Sequence, residues 1–240
     1  PLRSVYPAAM STPIPFRGFD ERADLRIYEH GLLPHWRQDG CTYFITFRQA
    51  DALPAAVLRE FEHERRLWLV RNGTPPDGPI PEGPHPLRTA ADRRRYQRWV
   101  AWKLNGLLAA GRGSCLLRSP ALRHVVTQSL RHLDGRLAWV GDWVVMPNHV
   151  HALLTPLPGV PLEESLHSLK SFTAPQINRI VGCRGPLWQK ETYDHIVRNV
   201  EQLDAFQNYI RLNPVKAGLG QAEFSHDTAR YDLTDPAPHP

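Results

Sequence analysis

Apolar positions along this chain alternate between two periods. CTYFITF (Cys41–Phe47) is an unbroken β-branched and aromatic run, which predicts a strand. Leu53–Val70 spaces its apolar residues three and four apart with Pro54 near its start, which predicts a helix. Asn72–Pro86 holds six prolines and three glycines and has no period, so it reads as a loop. Arg93–Lys103 reads as a helix with five basic residues and no acidic one. SPALRHVVTQSLRHL (Ser119–Leu133) opens with a serine cap and a first-turn proline and runs as an amphipathic helix.

Beyond it, Arg136–Pro156 reads as two strands joined by a tight turn at Met146–Asn148. Leu162–Val181 is helical, with Pro175 as a point of break or kink. Pro186–Asn199 is aromatic and β-branched and reads as a strand with its turn. Val200–Asn213 reads as a helix ending before Pro214. Strands interleave with helices around one hairpin, which predicts an α+β fold: an antiparallel sheet with helices packed on it. Residues 1–35 read as an irregular arm, 36–220 as one domain with a helical and Pro/Gly-rich insertion at 51–114, and 221–240 as a flexible tail.

Composition narrows the function classes. A chain of 240 residues that is 42% hydrophobic can bury one real core. Its net charge of +5 and isoelectric point near 9.3 favour a polyanionic partner such as nucleic acid. Cys41, Cys115 and Cys183 are odd in number and far apart, which argues against a disulfide framework and for a reducing cytoplasm. No apolar run reaches the roughly 20 residues of a membrane span. No signal-peptide pattern opens the chain.

The candidate chemistry lies in VVMPNHVHALL (Val144–Leu154). Residues two apart on a strand share a face, so His149 and His151 project together. Two imidazoles at this spacing can hold one cation, or can be two satisfied core histidines. A third donor is available on the last helix, where Tyr209 and Asn213 are one turn apart on one face. There the other reading is a packed ring and a helix cap.

WVVMPNHVHALLTP followed by YIRLNPVKAGL resembles the REP-associated tyrosine transposases, within the His-hydrophobic-His single-tyrosine superfamily. PHWRQDGCTYFITFR (Pro34–Arg48) and LWQKETYDHIVRN (Leu187–Asn199) also resemble segments of that family, and the match spans about Pro34–Leu219. The resemblance implies a ferredoxin-like core. It implies that His149, His151 and Asn213 bind a divalent metal, Mg2+ or Mn2+, and that Tyr209 is the nucleophile. It implies a single-stranded DNA endonuclease and strand transferase working through a 5′-phosphotyrosine at hairpin repeats, in the bacterial cytoplasm at the nucleoid. With two nitrogen ligands of three, manganese should serve at least as well as magnesium.

Single-stranded or hairpin DNA is the expected partner. Candidate contacts are Arg48 after the first strand, Lys170 and Arg179 on the middle helix, and Arg198, Arg211 and Lys216 near the site; Trp188 and His195 could stack or hydrogen-bond near a phosphate. The expected state is a monomer with a complete site, a dimer being the alternative. The competing function is a domesticated protein that holds hairpin DNA without cutting it. A histidine-triad nucleotide hydrolase is disfavoured because Leu153 stands where its third histidine belongs.

Overall fold

A computed structural model describes residues 13–28, 35–73 and 89–234. The core is a five-stranded sheet in the order β7-β4-β6-β5-β8, with every neighbouring pair antiparallel. These strands are β4 (Tyr43–Arg48), β5 (Ala138–Val145), β6 (His149–Pro156), β7 (Tyr193–Ile196) and β8 (Ser225–Asp227). The helices α3 (Pro120–Leu133) and α4 (Leu162–Val181) follow β4 and β6 in the chain. The sheet order of the first four strands, fourth-first-third-second, with a helix in each crossover, is the split β-α-β arrangement of a ferredoxin-like core. The expected α+β class with an antiparallel sheet holds.

Strand pleating sorts the side chains into two layers. Tyr43, Ile45, Phe47, Val150, Ala152 and Leu154 face α3 and α4, burying Leu122, Val126, Leu130, Leu166 and Leu169 against them. Phe44, Val144 and Leu153 face the other way, onto α5 (Val200–Lys216) through Leu203, Phe206 and Ile210. The histidines of β6 share this second face.

The 51–114 insertion is a helical hairpin, α1 (Ala55–Arg71) and α2 (Ala90–Ala109). It carries its own apolar centre of Leu53, Val57, Phe61, Leu69, Tyr96, Val100 and Leu108. Most of the proline-rich loop between the two helices lies outside the described residues.

Four sequence expectations need correction. The arm is not wholly irregular: β1 (Ile14–Pro15) pairs in parallel with β9 (Tyr231–Asp232), and β2 (Arg26–Tyr28) pairs with β3 (His35–Arg37). The tail is not loose through its described part, because β8 completes the sheet beside β5. These strands are two or three residues long, so pairing with distant chain forms them and no local period announces them. The proline helix ends also differ. Pro175 sits inside the continuous α4 and Pro214 inside the last turn of α5. Pro214 has no N–H to give to the Ile210 carbonyl, but the turn beyond it still closes, with Ala217 and Leu219 donating to the Asn213 and Pro214 carbonyls. Finally, only Tyr193–Ile196 of the 186–199 segment is a strand.

A buried charge group pins β3 against the edge strand β7. Asp194 takes hydrogen bonds from His35 Nδ1 at 2.6 Å and from Arg37 Nη1 at 2.6 Å, and Arg37 Nε donates to Glu163 of α4. Burial opposes the charge on Asp194 and on His35. The partners win: the carboxyl is held below its usual range and the imidazole above its own. Asp194→Asn removes the carboxylate that His35 and Arg37 share, leaving Arg37 with Glu163 alone, and should cost about 3–5 kcal/mol in urea unfolding. The raised His35 value stabilises fully below its unfolded pKa of about 6.5 and is lost as pH rises through the folded value; the lowered Asp194 value stabilises above about 3.9 and is lost as pH falls. The gap between wild type and variant should therefore be widest near pH 4–6.5 and narrower at pH 8.

Candidate active site

The site is built on the turn between β5 and β6. Met146 N donates to His149 O at 2.9 Å, closing the hairpin. The turn's carbonyls are taken by other elements: Leu117 N donates to Pro147 O and Gln49 N to Asn148 O. The backbone that presents the histidines is therefore fully tied. In the β4–β6 register Thr46 lies opposite His151 and Arg48 opposite His149, all four on the α5 face.

His149 and His151 are 1% and 0% exposed, and their Nε2 atoms approach to 3.0 Å. Each ring is held from its far side, His149 Nδ1 by Asn148 Oδ1 and His151 Nδ1 by Thr46 Oγ1, both at 2.7 Å. From α5, Asn213 Nδ2 stands 3.3 Å and Tyr209 Oη 3.5 Å from His151 Nε2. Asn213 Oδ1 is buried and has no hydrogen-bond partner. Asn213 thus does not cap the helix; Ala217 is its C-cap.

Burial, reinforced by the Arg48 charge, pushes His149 down to about 3, and burial also holds His151 far below its usual value. Both imidazoles are neutral at physiological pH, the form that can donate a lone pair to a cation. Burial raises the Tyr209 phenol to about 12, although Asn213 offsets part of this. The ring is fixed on edge against Phe44 at 5.7 Å and His151 at 5.1 Å, and Phe44 stacks on Phe206 at 4.3 Å.

The donor set suits a small cation. The two imidazole Nε2 atoms face one another, and the Asn213 amide reaches His151 with Nδ2 while its oxygen is left orphaned; turned end for end, that amide would bring Oδ1 toward the imidazoles and complete a three-acceptor set that a divalent ion would satisfy. Among the described residues, no group of three or more His, Cys, Asp or Glu side chains is placed to hold a metal. The third donor here is an amide, which such a group excludes.

The other candidates distribute unevenly. Arg48 is 5% exposed beside His149, with Nε donating to Gln189 Oε1. Lys170 reaches the same segment from α4, donating to the Gln189 and Lys190 carbonyls at 2.9 and 3.2 Å. Burial and the Arg48 charge lower its ammonium to about 8. Arg211 and Lys216 are exposed on α5 within a turn of Tyr209 and Asn213. Arg198 is exposed after β7, its guanidinium 5.9 Å from the Trp36 ring centre.

Three candidates lie elsewhere. Arg179 is exposed near the end of α4, on the helix packed against the opposite sheet face. Trp188 is a core residue: it packs on Phe47 at 4.9 Å and its Nε1 donates to Thr173 Oγ1 at 2.8 Å, so it offers no open ring to a base. His195 sits two strands away, opposite Phe44, against Phe206 and Gln202, and burial lowers it to about 4. Sequence reasoning missed Thr46 and Asn148 as ring partners. The two-residue offset of Thr46 from Arg48 on one strand is the only local hint for the first.

Comparison with known proteins shows what this chain is similar to. Residues 121–213 match the family model described as "Transposase IS200 like", a span that runs from α3 through both histidines and Tyr209 to Asn213. The transposase resemblance is borne out. The chain is similar to the REP-associated tyrosine transposase of Escherichia coli (strain K12), 28% identical over 127 residues that cover 52% of this chain and 73% of that protein. A solved REP-associated tyrosine transposase bound to a REP hairpin aligns with 85% of this chain and 97% of its own, at 16% identity and a TM-score of 0.39. Among the described residues no helix is long and apolar enough to cross a membrane.

The orphaned Asn213 oxygen makes a stability prediction. An unpaired buried acceptor costs about 1–3 kcal/mol, comparable to the packing lost when a small side chain is cut back. Asn213→Ala should therefore leave the metal-free unfolding free energy within about 1 kcal/mol of wild type. A loss well beyond that in chemical denaturation would mean that Oδ1 is hydrogen-bonded in solution.

Proposed function

We propose that this protein is a metal-dependent DNA strand transferase that cuts single-stranded DNA at hairpin repeats with Tyr209 as the nucleophile. The observation that carries this is the convergence of His149 Nε2, His151 Nε2 and the Asn213 amide, whose oxygen is orphaned, beside the Tyr209 hydroxyl. The naming of the E. coli relative supports the substrate class.

The two Nε2 atoms and Oδ1 would hold the cation, Mg2+ or Mn2+, with manganese serving at least as well. Bound there, it supplies positive charge to the scissile phosphate. Tyr209 Oη attacks phosphorus in line. The Oη–P bond forms, the P–O3′ bond breaks, and the phenol's proton is matched by the one the 3′ oxygen gains. A phenol at about 12 is a poor nucleophile unaided, so charge on the phosphate and fixed geometry carry the rate. The 5′-phosphotyrosine keeps the bond energy, so a second 3′ hydroxyl can be joined without ATP. Arg48 and Lys170 form a recessed cationic pair suited to a phosphate near the break, with Arg198, Arg211 and Lys216 as outer contacts. One chain carries all four central residues, which fits a monomer.

The test is a denaturing gel of the protein with labelled hairpin oligonucleotides and Mn2+. A slower, protease-sensitive band should appear and should vanish with Tyr209→Phe, His149→Ala or EDTA. Hairpin binding with no adduct across oligonucleotides and both metals would instead identify a non-cleaving binder. Lys170 gives a second readout. It is a cation only below about pH 8, so hairpin affinity should fall between pH 7 and 9. Lys170→Met should be weaker at pH 7, lose that pH dependence, and flatten the slope of log K against log salt by about 0.7–0.9; an unchanged slope removes Lys170 from the interface.

A further inference from the structure

Among its described residues, the 51–114 insertion meets the site at the side chain of Asn148. Asn148 is 1% exposed at the tip of the β5–β6 turn. Its Nδ2 lies 2.9 Å from Arg112 O and 3.4 Å from Leu108 O, both at the C-terminal exit of α2. Its Oδ1 lies 2.7 Å from His149 Nδ1. Two carbonyls can only accept, so they fix which end of the amide is NH2. The oxygen is then aimed at His149 Nδ1 and can only accept in turn. His149 Nδ1 must carry the proton, and its Nε2 must be bare.

We infer that Asn148 is a positioning residue that locks His149 in the Nδ1–H tautomer, and that the insertion sets this lock through the Leu108 and Arg112 carbonyls. This rests on the metal-site reading above, and it assigns the insertion a part in that site. A metal-binding imidazole usually gives its second nitrogen to a carboxylate or backbone carbonyl. Here a side-chain amide relays that role from another structural unit. The relay has an independent hold on the insertion. Ser114 N donates to Asp51 Oδ2 at 2.7 Å, and Gly113, at φ +86°, passes so close to Asp51 that an added Cβ would lie 2.5 Å from its carbonyl oxygen. The Arg112 carbonyl is thus placed by a turn that tolerates no side chain.

The experiment compares full-length wild type, Asn148→Leu, Asn148→Asp and Gly113→Ala by 15N spectroscopy of labelled histidine in metal-free protein, and by Mn2+ titration calorimetry. His149 is assigned by loss of its signals in His149→Gln. Wild type should show His149 protonated at Nδ1 and bare at Nε2. Asn148→Leu should shift protonation to Nε2 and weaken Mn2+ binding by about 10–100-fold. Asn148→Asp keeps an acceptor for Nδ1–H while losing both donors to the insertion. It should retain the tautomer and recover most of the Mn2+ affinity. Gly113→Ala should weaken Mn2+ binding in wild type and add nothing in the Asn148→Leu background.

An unchanged tautomer in Asn148→Leu overturns the inference. So does an Asn148→Asp as impaired as Asn148→Leu, which would mark a purely structural residue, and so do multiplicative effects of Gly113→Ala and Asn148→Leu. If Asn148→Leu does not fold, loss of the Nδ1–H tautomer in Asn148→Asp overturns it alone. If wild type binds no Mn2+, the strand-transfer reading falls, and the metal-free spectra still decide the tautomer lock.

Discussion

The register between β4 and β6 determines where everything chemical in this protein lies. Side chains alternate faces with a strict period of two, so a slip of one residue would turn both histidines into the layer covered by α3 and α4. The register is held from both sides. Ile45 and Phe47 are committed to that apolar layer with Val150 and Ala152, while Phe44 is committed to α5. With the apolar residues fixed, Thr46 must meet His151 and Arg48 must meet His149. The polar site follows from hydrophobic sorting around it.

Burial then does two opposed things. It keeps the imidazoles neutral and lets their nitrogens face one another, and it makes the phenol harder to ionise. A site with this balance is suited to a cation and an anionic substrate arriving together: each removes a cost that the other alone would incur. The recessed Arg48 and Lys170 fit the same logic, because burial lowers both even with the Glu191 carboxylate nearby to oppose it.

The sequence carried some of this plainly. His-Val-His on an apolar strand, the turn before it, and Tyr209 one helical turn from Asn213 are local patterns with fixed geometric meaning, and they appear where expected. Tertiary partners were not legible. Asn148 reads as a turn residue, and only the exit of α2, some 36 residues earlier, reveals that its amide is used. Trp188 reads as a ring that could stack near a phosphate, but Phe47 and Thr173 claim it for the core. The two- and three-residue strands of the arm and tail carry no period at all. Pro214 looked like a helix end because the rule concerns a proline's preceding turn in general, whereas here the helix had only its final turn left to complete.

The aromatic packing around Tyr209 has a consequence for timing. Phe206 and Phe44 stack face to face, and Phe44 and His151 meet the Tyr209 ring near right angles, so the ring's rotational choices are given up when the chain folds. An oxygen carried on such a ring acts as a reagent of high effective concentration toward whatever lies beside the histidines, because no ordering is left to be done at the moment of encounter. On the strand-transfer reading proposed above, the slow step would shift from aligning the attacking group to delivering and distorting the strand that it meets.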